Sequence, residues 1–298
     1  MLARSVRNLI ETPGGPRIDF AAPPGEAALA APDSVSWRVF KNPVALFVGG
    51  VTAVILELAE PRVRTGVWEH STFRTDPLGR LKRTGLAAMV TVYGARSVAE
   101  AMIAGIGRQH ARVAGTTPDG QAYRADDVAL LDWVQATASF GFLSAYDACV
   151  TPLTGSEMDR GFAEAAPAAR LYGALGAPQS RAAWQAQLTA MLPQLEPSAI
   201  VLEFLTLMRE TRLAPGPFSR LQRPLLRAAV GLVPEEVRTV LGLGPEWLPR
   251  PFEAAAIRLA GHAVDRLVVP GAPPSEACLR LGLPADWLYR GPVTSRTG

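Results

Sequence analysis

The chain has 298 residues, of which 48% are hydrophobic and 19% charged. That balance excludes a disordered polypeptide and allows one large buried core. With 30 basic and 27 acidic side chains, the net charge of +3 is too small to mark a nucleic-acid-binding surface.

Residues 1–33 are rich in proline, glycine and alanine (TPGGP, AAPPGEAALAAP) and read as an extended arm. The first residues lack the apolar stretch of a secretory signal. Two isolated cysteines, Cys149 and Cys278, have neither disulfide-framework nor zinc-ligand spacing. They read as lone buried thiols of a reducing compartment, and a cytoplasmic location is expected. From residue 34 to 298 no composition break divides the chain, so one domain is expected there.

Asn42-Pro43 opens an apolar segment, PVALFVGGVTAVILELA, over 43–59, with proline at a first-turn position. It falls short of the ~20 residues that span a bilayer. Glu57 and Glu60 mark its far end. A buried core helix is favoured over a membrane-associated one. A loop is expected over 60–75. Asp76 as N-cap and Pro77 as first helical residue then start a helix running to about Gly94. Ser97 and Glu100 have capping-box spacing and predict a helix over 97–114, with Gly115 placed to end it. TPDG turns the chain. Asp126 is expected to cap a helix reaching about residue 150, where Leu130, Leu131, Val134 and Phe142 recur at helical spacing. Further helices are expected at 156–173, 179–192, 197–211, 218–231, 234–241 and 252–269, most of them separated by proline or glycine. No series of strand hairpins appears, so the fold class is all-α. LGLGPEWL (241–248) and LGLPADWL (281–288) resemble each other and predict two similar helix-end turns.

His110 is one of three histidines. Ile103, Ile106, His110 and Val113 share a helix face, which predicts an imidazole aimed at the core. Small residues at 105, 107, 111 and 114 flank it, as a flat, wide group such as a porphyrin would require. A core histidine bonded to a backbone carbonyl gives the same pattern. Arg108 and Arg112 suit a helix C-terminus, and they also suit the carboxylates of a cofactor. On the preceding helix Arg80, Thr84, Ala87 and Thr91 form one stripe. Arg80 and Thr84, one turn apart, can converge on an oxygen that carries developing negative charge; a solvated basic first turn is the alternative. His70 either contacts a cofactor edge or braces its loop. His262 belongs to a polar helix face. Glu57 and Glu69 are possible bases that the sequence does not place.

The run RVRTGVWEHSTFRTDPLGRLKRT (62–84) resembles the core of the rubber oxygenase/MpaB-like family. GRQHARVAG, DGQAYRADDVALLDWVQAT and PLLRAAVGLVPEEVRTVLGL follow in the same order, so the resemblance covers roughly residues 34–245. Its most specific element is H-S-x-F-R-x-D-P-x-x-R-L-x-R-T, with His110 one helix later. The resemblance implies a haem b protein with a distantly globin-like helical core that uses dioxygen on a hydrophobic substrate. It makes His110 the proximal iron ligand and sets Arg80 and Thr84 on the open side of the haem. With haem at His110, the residues around it make Gly107, Arg108 and Arg112 candidate cofactor contacts, and His70 is a further candidate beside its bracing role. Latex-clearing members cleave polyisoprene, and in them a lysine can occupy the sixth iron position. Arg83 stands there in this chain and cannot ligate iron. Glu60-Pro61 and Gln135 also replace two histidines frequent in the family. A small-molecule oxygenase is therefore expected. A non-catalytic haem carrier or sensor, or a haem-free membrane-associated helical protein, are the alternatives.

Overall fold

A computed structural model describes residues 17–211 and 221–290. Among these residues the chain is predominantly α-helical and forms a single domain, as expected. The helices are α1 (Val35–Phe40), α2 (Pro43–Ala59), α3 (Pro61–His70), α4 (Pro77–Tyr93), α5 (Arg96–His110), α6 (Val128–Cys149), α7 (Gly155–Leu171), α8 (Arg181–Met191), α9 (Ala199–Glu210), α10 (Gln222–Leu232), α11 (Glu235–Leu241), α12 (Pro251–Val264) and α13 (Pro273–Arg280). One antiparallel hairpin, β1 (Ala114–Thr116) and β2 (Ala122–Arg124), lies between α5 and α6. The expected arm over 1–16 and the expected helix start at 218–220 lie outside the described residues.

The tightest seam joins α2 to α6. A Cβ on Gly49 would sit 2.7 Å from the Phe142 Cα and 2.8 Å from the Gly141 carbonyl oxygen. Only paired glycines let the two backbones approach so closely. Trp133 on α6 reinforces the seam by donating from its indole N–H to the Leu56 carbonyl at 3.3 Å. Asn42 ties the start of α2 to the end of α12. Its side-chain oxygen accepts from the Val44 and Ala45 N–H groups, and its amide donates to the Gly261 carbonyl at 2.9 Å.

Several sequence expectations need correction. The expected loop after residue 60 is largely α3, set at 111° to α2. Glu60 starts this helix: its buried carboxylate accepts from the Val63 N–H at 2.7 Å and pairs with Arg62 at 2.6 Å. Arg64 then reaches back to the Leu58 and Ala59 carbonyls and satisfies the end of α2. The capping box at Ser97 does not form. Ser97 donates its backbone N–H to Glu26 instead, at 2.6 Å, and Glu100 lies 3.7 Å from Arg96. Helix α5 stops at His110 rather than near Gly115. Gly115 serves the hairpin, where a Cβ would lie 2.6 Å from the Tyr123 hydroxyl. The cap of α6 is Asp127, while Asp126 pairs with Arg124 at 2.9 Å. The two similar fragments do form matching turns. Gly242 and Gly282 take left-handed φ values of 66° and 72°. The following leucines, Leu243 and Leu283, donate back to Arg238 and Cys278, each at 2.9 Å.

The core is in two parts. The larger gathers α2 and α6 with α8 through α12. The smaller joins α4, the Ala99 turn of α5, Trp37 of α1, α13, and Phe20 and Ala28 of the arm. Arg280 holds the arm there through the Phe20 and Glu26 carbonyls, at 2.7 and 2.8 Å. Helices α4 and α5 scarcely approach α2 or α6, while α1 touches α2, α4 and α6 and bridges the two cores at one end.

Candidate functional site

Two helix faces, one on α2 and one on α5, share one property. On α2, a helix otherwise buried, Phe47, Gly50, Val54 and Glu57 keep partial accessibility at spacings of three and four residues. On α5, Met102, Ile106 and His110 do the same. His110 follows Ile103 and Ile106 on one face of α5, and the face goes from buried at Ile103 to half-buried at Ile106 and His110.

The polar groups here are desolvated even though none is fully buried. The Glu57 carboxyl is pushed up to about 7, chiefly by desolvation, against the pull of the Arg80 charge and the nearby Thr137 hydroxyl. Arg80 is lowered, first by desolvation and then by Arg83, with Glu57 opposing. His110 is lowered by desolvation and by Arg80, with Asp126 opposing. The Arg80 guanidinium thus acts on a carboxyl of α2 and on an imidazole of α5. Each of the three is desolvated and still keeps some accessible surface. Tyr172, also raised by desolvation, shares a 3.0 Å hydrogen bond with Thr91 on the same stripe of α4 as Arg80.

Local sequence holds these groups in place. Asp76 caps α4 by accepting from the Gly79 N–H at 2.8 Å, which fixes the first turn that carries Arg80. The Arg80 guanidinium donates to the Thr84 hydroxyl and lies 5.6 Å from the centre of the Phe73 ring. Arg83, on the next flank, is exposed and turns to Thr72 and Asp76. Arg108 and Arg112 are exposed at the end of α5, and neither forms an ion pair among the described residues. A Cβ on Gly107 would meet nothing within 4 Å, so protein packing does not require that glycine.

The remaining candidates lie elsewhere. His70 is exposed at the end of α3 and meets the Tyr123 hydroxyl at 3.2 Å, so it braces the hairpin. Glu69 reaches the same hydroxyl at 3.5 Å. Glu60 is consumed as the α3 cap. Gln135 is half-buried on α6 with no hydrogen-bond partner among the described residues. His262 is exposed on α12. Sequence reasoning raised Glu57 but could not place it, and it did not notice Tyr172.

Among the described residues no three His, Cys, Asp or Glu side chains converge as ligands for a bare metal ion. A single accessible imidazole beside two unpaired arginines is a donor set suited to a cofactor that brings most of its own metal ligands and carries carboxylates. These residues fit haem b in that respect.

No curated protein and no solved structure matches the chain. A family model described as "ER-bound oxygenase mpaB/B'/Rubber oxygenase, catalytic domain" matches residues 37–266, a span that runs from α1 through α12 and includes Glu57, Arg80, Thr84 and His110. The chain belongs to that oxygenase family.

Proposed function

We propose that this protein is a haem b-dependent oxygenase acting with dioxygen on a hydrophobic small molecule. The observation that carries the reading is that the Arg80 charge, on α4, acts on both the Glu57 carboxyl of α2 and the His110 imidazole of α5, all three of them desolvated. His110 is the residue that would ligate the iron. Desolvation and the Arg80 charge favour its neutral form, which keeps a nitrogen lone pair available. Arg108 and Arg112 would pair with the propionates, and Gly107 leaves the approach to α5 open.

When bound, haem b supplies the redox chemistry that activates dioxygen. The chain's own residues do the rest. Arg80, steadied by Thr84, holds a fixed positive charge in a desolvated site, where it stabilises oxygen with developing negative charge. Glu57 changes protonation near pH 7 and can hold or release a proton at its carboxyl. Phe47 and Val54 offer an apolar wall that excludes water and favours a hydrophobic substrate. His70 contributes at a distance, by bracing the loop that leads into Phe73 and Asp76. We propose a reducing compartment, the cytoplasm, as the setting, a reading that the two free, buried thiols support.

The test is an absorption spectrum of the purified chain after reconstitution with haem b. A Soret band is expected, lost or strongly weakened in His110→Ala. No band in the unmodified chain sinks the reading.

A further inference from the structure

The outer face of α12 is unlike any other exposed helix face described here. Phe252 and Leu259 are 65% and 73% exposed, and Leu267, just past the helix end, is 46% exposed. Ala255, Ala256 and Ala263 complete the stripe between them, all exposed. The opposite face is the one that packs: Glu253, Ile257 and Gly261 are buried against the body of the protein. A helix normally turns its polar residues outward. Here both faces are apolar, and none of the described residues covers the outer one.

The charges along this face have one sign. Arg258, His262 and Arg266 lie on one flank of the stripe, and all are exposed. The acidic residues of α12 and its cap are turned inward and neutralised. Glu253 accepts from Arg227 at 2.9 Å and from the Arg250 backbone N–H at 3.0 Å. Asp265 is held by Lys41 at 3.0 Å and by the Tyr146 hydroxyl at 3.2 Å. An apolar stripe with aromatic and leucine anchors and a purely basic flank complements an anionic bilayer surface: the apolar residues enter the acyl boundary and the cations meet lipid phosphates.

We infer that α12 is an interfacial helix that docks the folded protein onto an anionic phospholipid membrane, with Phe252, Leu259 and Leu267 inserted and Arg258 and Arg266 on the headgroups. In this docking α12 lies along the membrane surface. The inference rests on this outer face alone and is independent of the cofactor reading.

The experiment is flotation of the full chain with vesicles of phosphatidylcholine alone and of phosphatidylcholine with about 30 mol% phosphatidylglycerol, which gives a strongly anionic surface. Binding is expected to the anionic vesicles and to fall with added salt. Phe252→Ser with Leu259→Ser should lower binding at least about tenfold, since both anchors leave the acyl boundary. Arg258→Ser and Arg266→Ser should each lower it about fivefold and weaken the preference for anionic lipid. All four positions are exposed, but Arg258 Nε donates to the Ala148 carbonyl at 3.2 Å, so thermal melting should be unchanged in the Phe252/Leu259 and Arg266 variants. No flotation with either vesicle overturns the inference. Flotation unchanged in the Phe252/Leu259 variant also overturns it, because another surface is then responsible. A concentration-dependent dimer that the same variant abolishes, without vesicle binding, assigns the face to a second copy of the chain and overturns it too.

Discussion

Helix α2 has two faces that solve opposite problems. One carries Gly49, Thr52, Ala53 and Leu56 and is pressed against α6 and its neighbours, leaving no room for a methyl group at Gly49. Even its hydroxyl is absorbed: Thr52 Oγ1 lies 2.8 Å from the Val48 carbonyl and 3.0 Å from the Ala229 carbonyl. The other face carries Phe47, Gly50, Val54 and Glu57 and stays partly accessible. The closed face uses small residues to exclude space. The open face keeps a carboxyl desolvated in order to line space. A polar group whose desolvation is not relieved by close pairing is a cost in folding, so its presence on the open face marks a surface kept for chemistry.

The closed face should be the less tolerant of change. At Gly141, an added Cβ would meet the Gly49 carbonyl and the Ala53 backbone nitrogen, and neither can swing aside as a side chain could. Gly141→Val should cost about 3 kcal/mol or more through forced separation of α2 and α6. Urea unfolding would measure it. Gly50→Ala is the control on the open face, because a Cβ there meets only the Phe142 ring at 3.8 Å. It should leave stability within about 1 kcal/mol of the parent and on the favourable side. Equal losses at both positions would erase the distinction between the faces.

Glu57→Gln probes the open face through pH. The carboxyl ionises near 4.5 in the unfolded chain and near 7 in the folded protein. Its folded pKa is raised, so the neutral carboxyl imposes no penalty below pH 4.5. Stability is then lost as pH climbs to 7, and the penalty is constant above that. Relative to Glu57→Gln, which stays neutral throughout, the parent should lose about 3 kcal/mol across that window. Parallel pH–stability curves for the two proteins would show that the carboxyl is solvated after all.

Much of the open face was legible before the fold was known. Arg80 and Thr84 at i and i+4, and His110 beside flanking small residues, are local patterns, and helical geometry alone brings each set to one side of its helix. Glu57 was not placed, because a glutamate at the end of an apolar helix looks the same whether it reaches solvent or an enclosed space. Its surroundings come from α4 and α6, which lie tens of residues away in sequence. Helix α3 was missed for a different reason. PRVRTGVWEH has weak helical periodicity, with a glycine at its centre. The helix is held instead by the Glu60 cap and by the bonds of Arg64 to the end of α2. The hairpin was absorbed into α5 because its strands are only three residues each, and what fixes it is the packing of Tyr123 over Gly115.

Asn42 belongs to the closed side and should show an intermediate effect. It is fully buried, caps α2 and satisfies the Gly261 carbonyl of α12. Asn42→Ala removes the cap and leaves that carbonyl without its donor, a combined loss of about 2 kcal/mol. Asn42→Asp keeps the cap but sets a buried carboxylate against Asp265 Oδ1, which the amide meets at 3.1 Å, and it should recover none of the loss. Thermal melting of the two variants separates the contributions.

The smallest expected change has opposite signs for stability and for function. Gly107 lies in the last turn of α5, its φ is not in the left-handed region, and a Cβ there would enter open space. Nothing in the protein's packing calls for glycine, and glycine is a poor helix former. Gly107→Ala should therefore stabilise the cofactor-free chain by about 0.5–1 kcal/mol. If haem approaches α5 beside His110, the added methyl stands in its way. The same variant should then take up haem more weakly in a titration followed at the Soret band. A variant that melts higher and binds haem as well as the parent would show that the space beside Gly107 is not used by the cofactor, and would move the proposed haem face to the other side of His110.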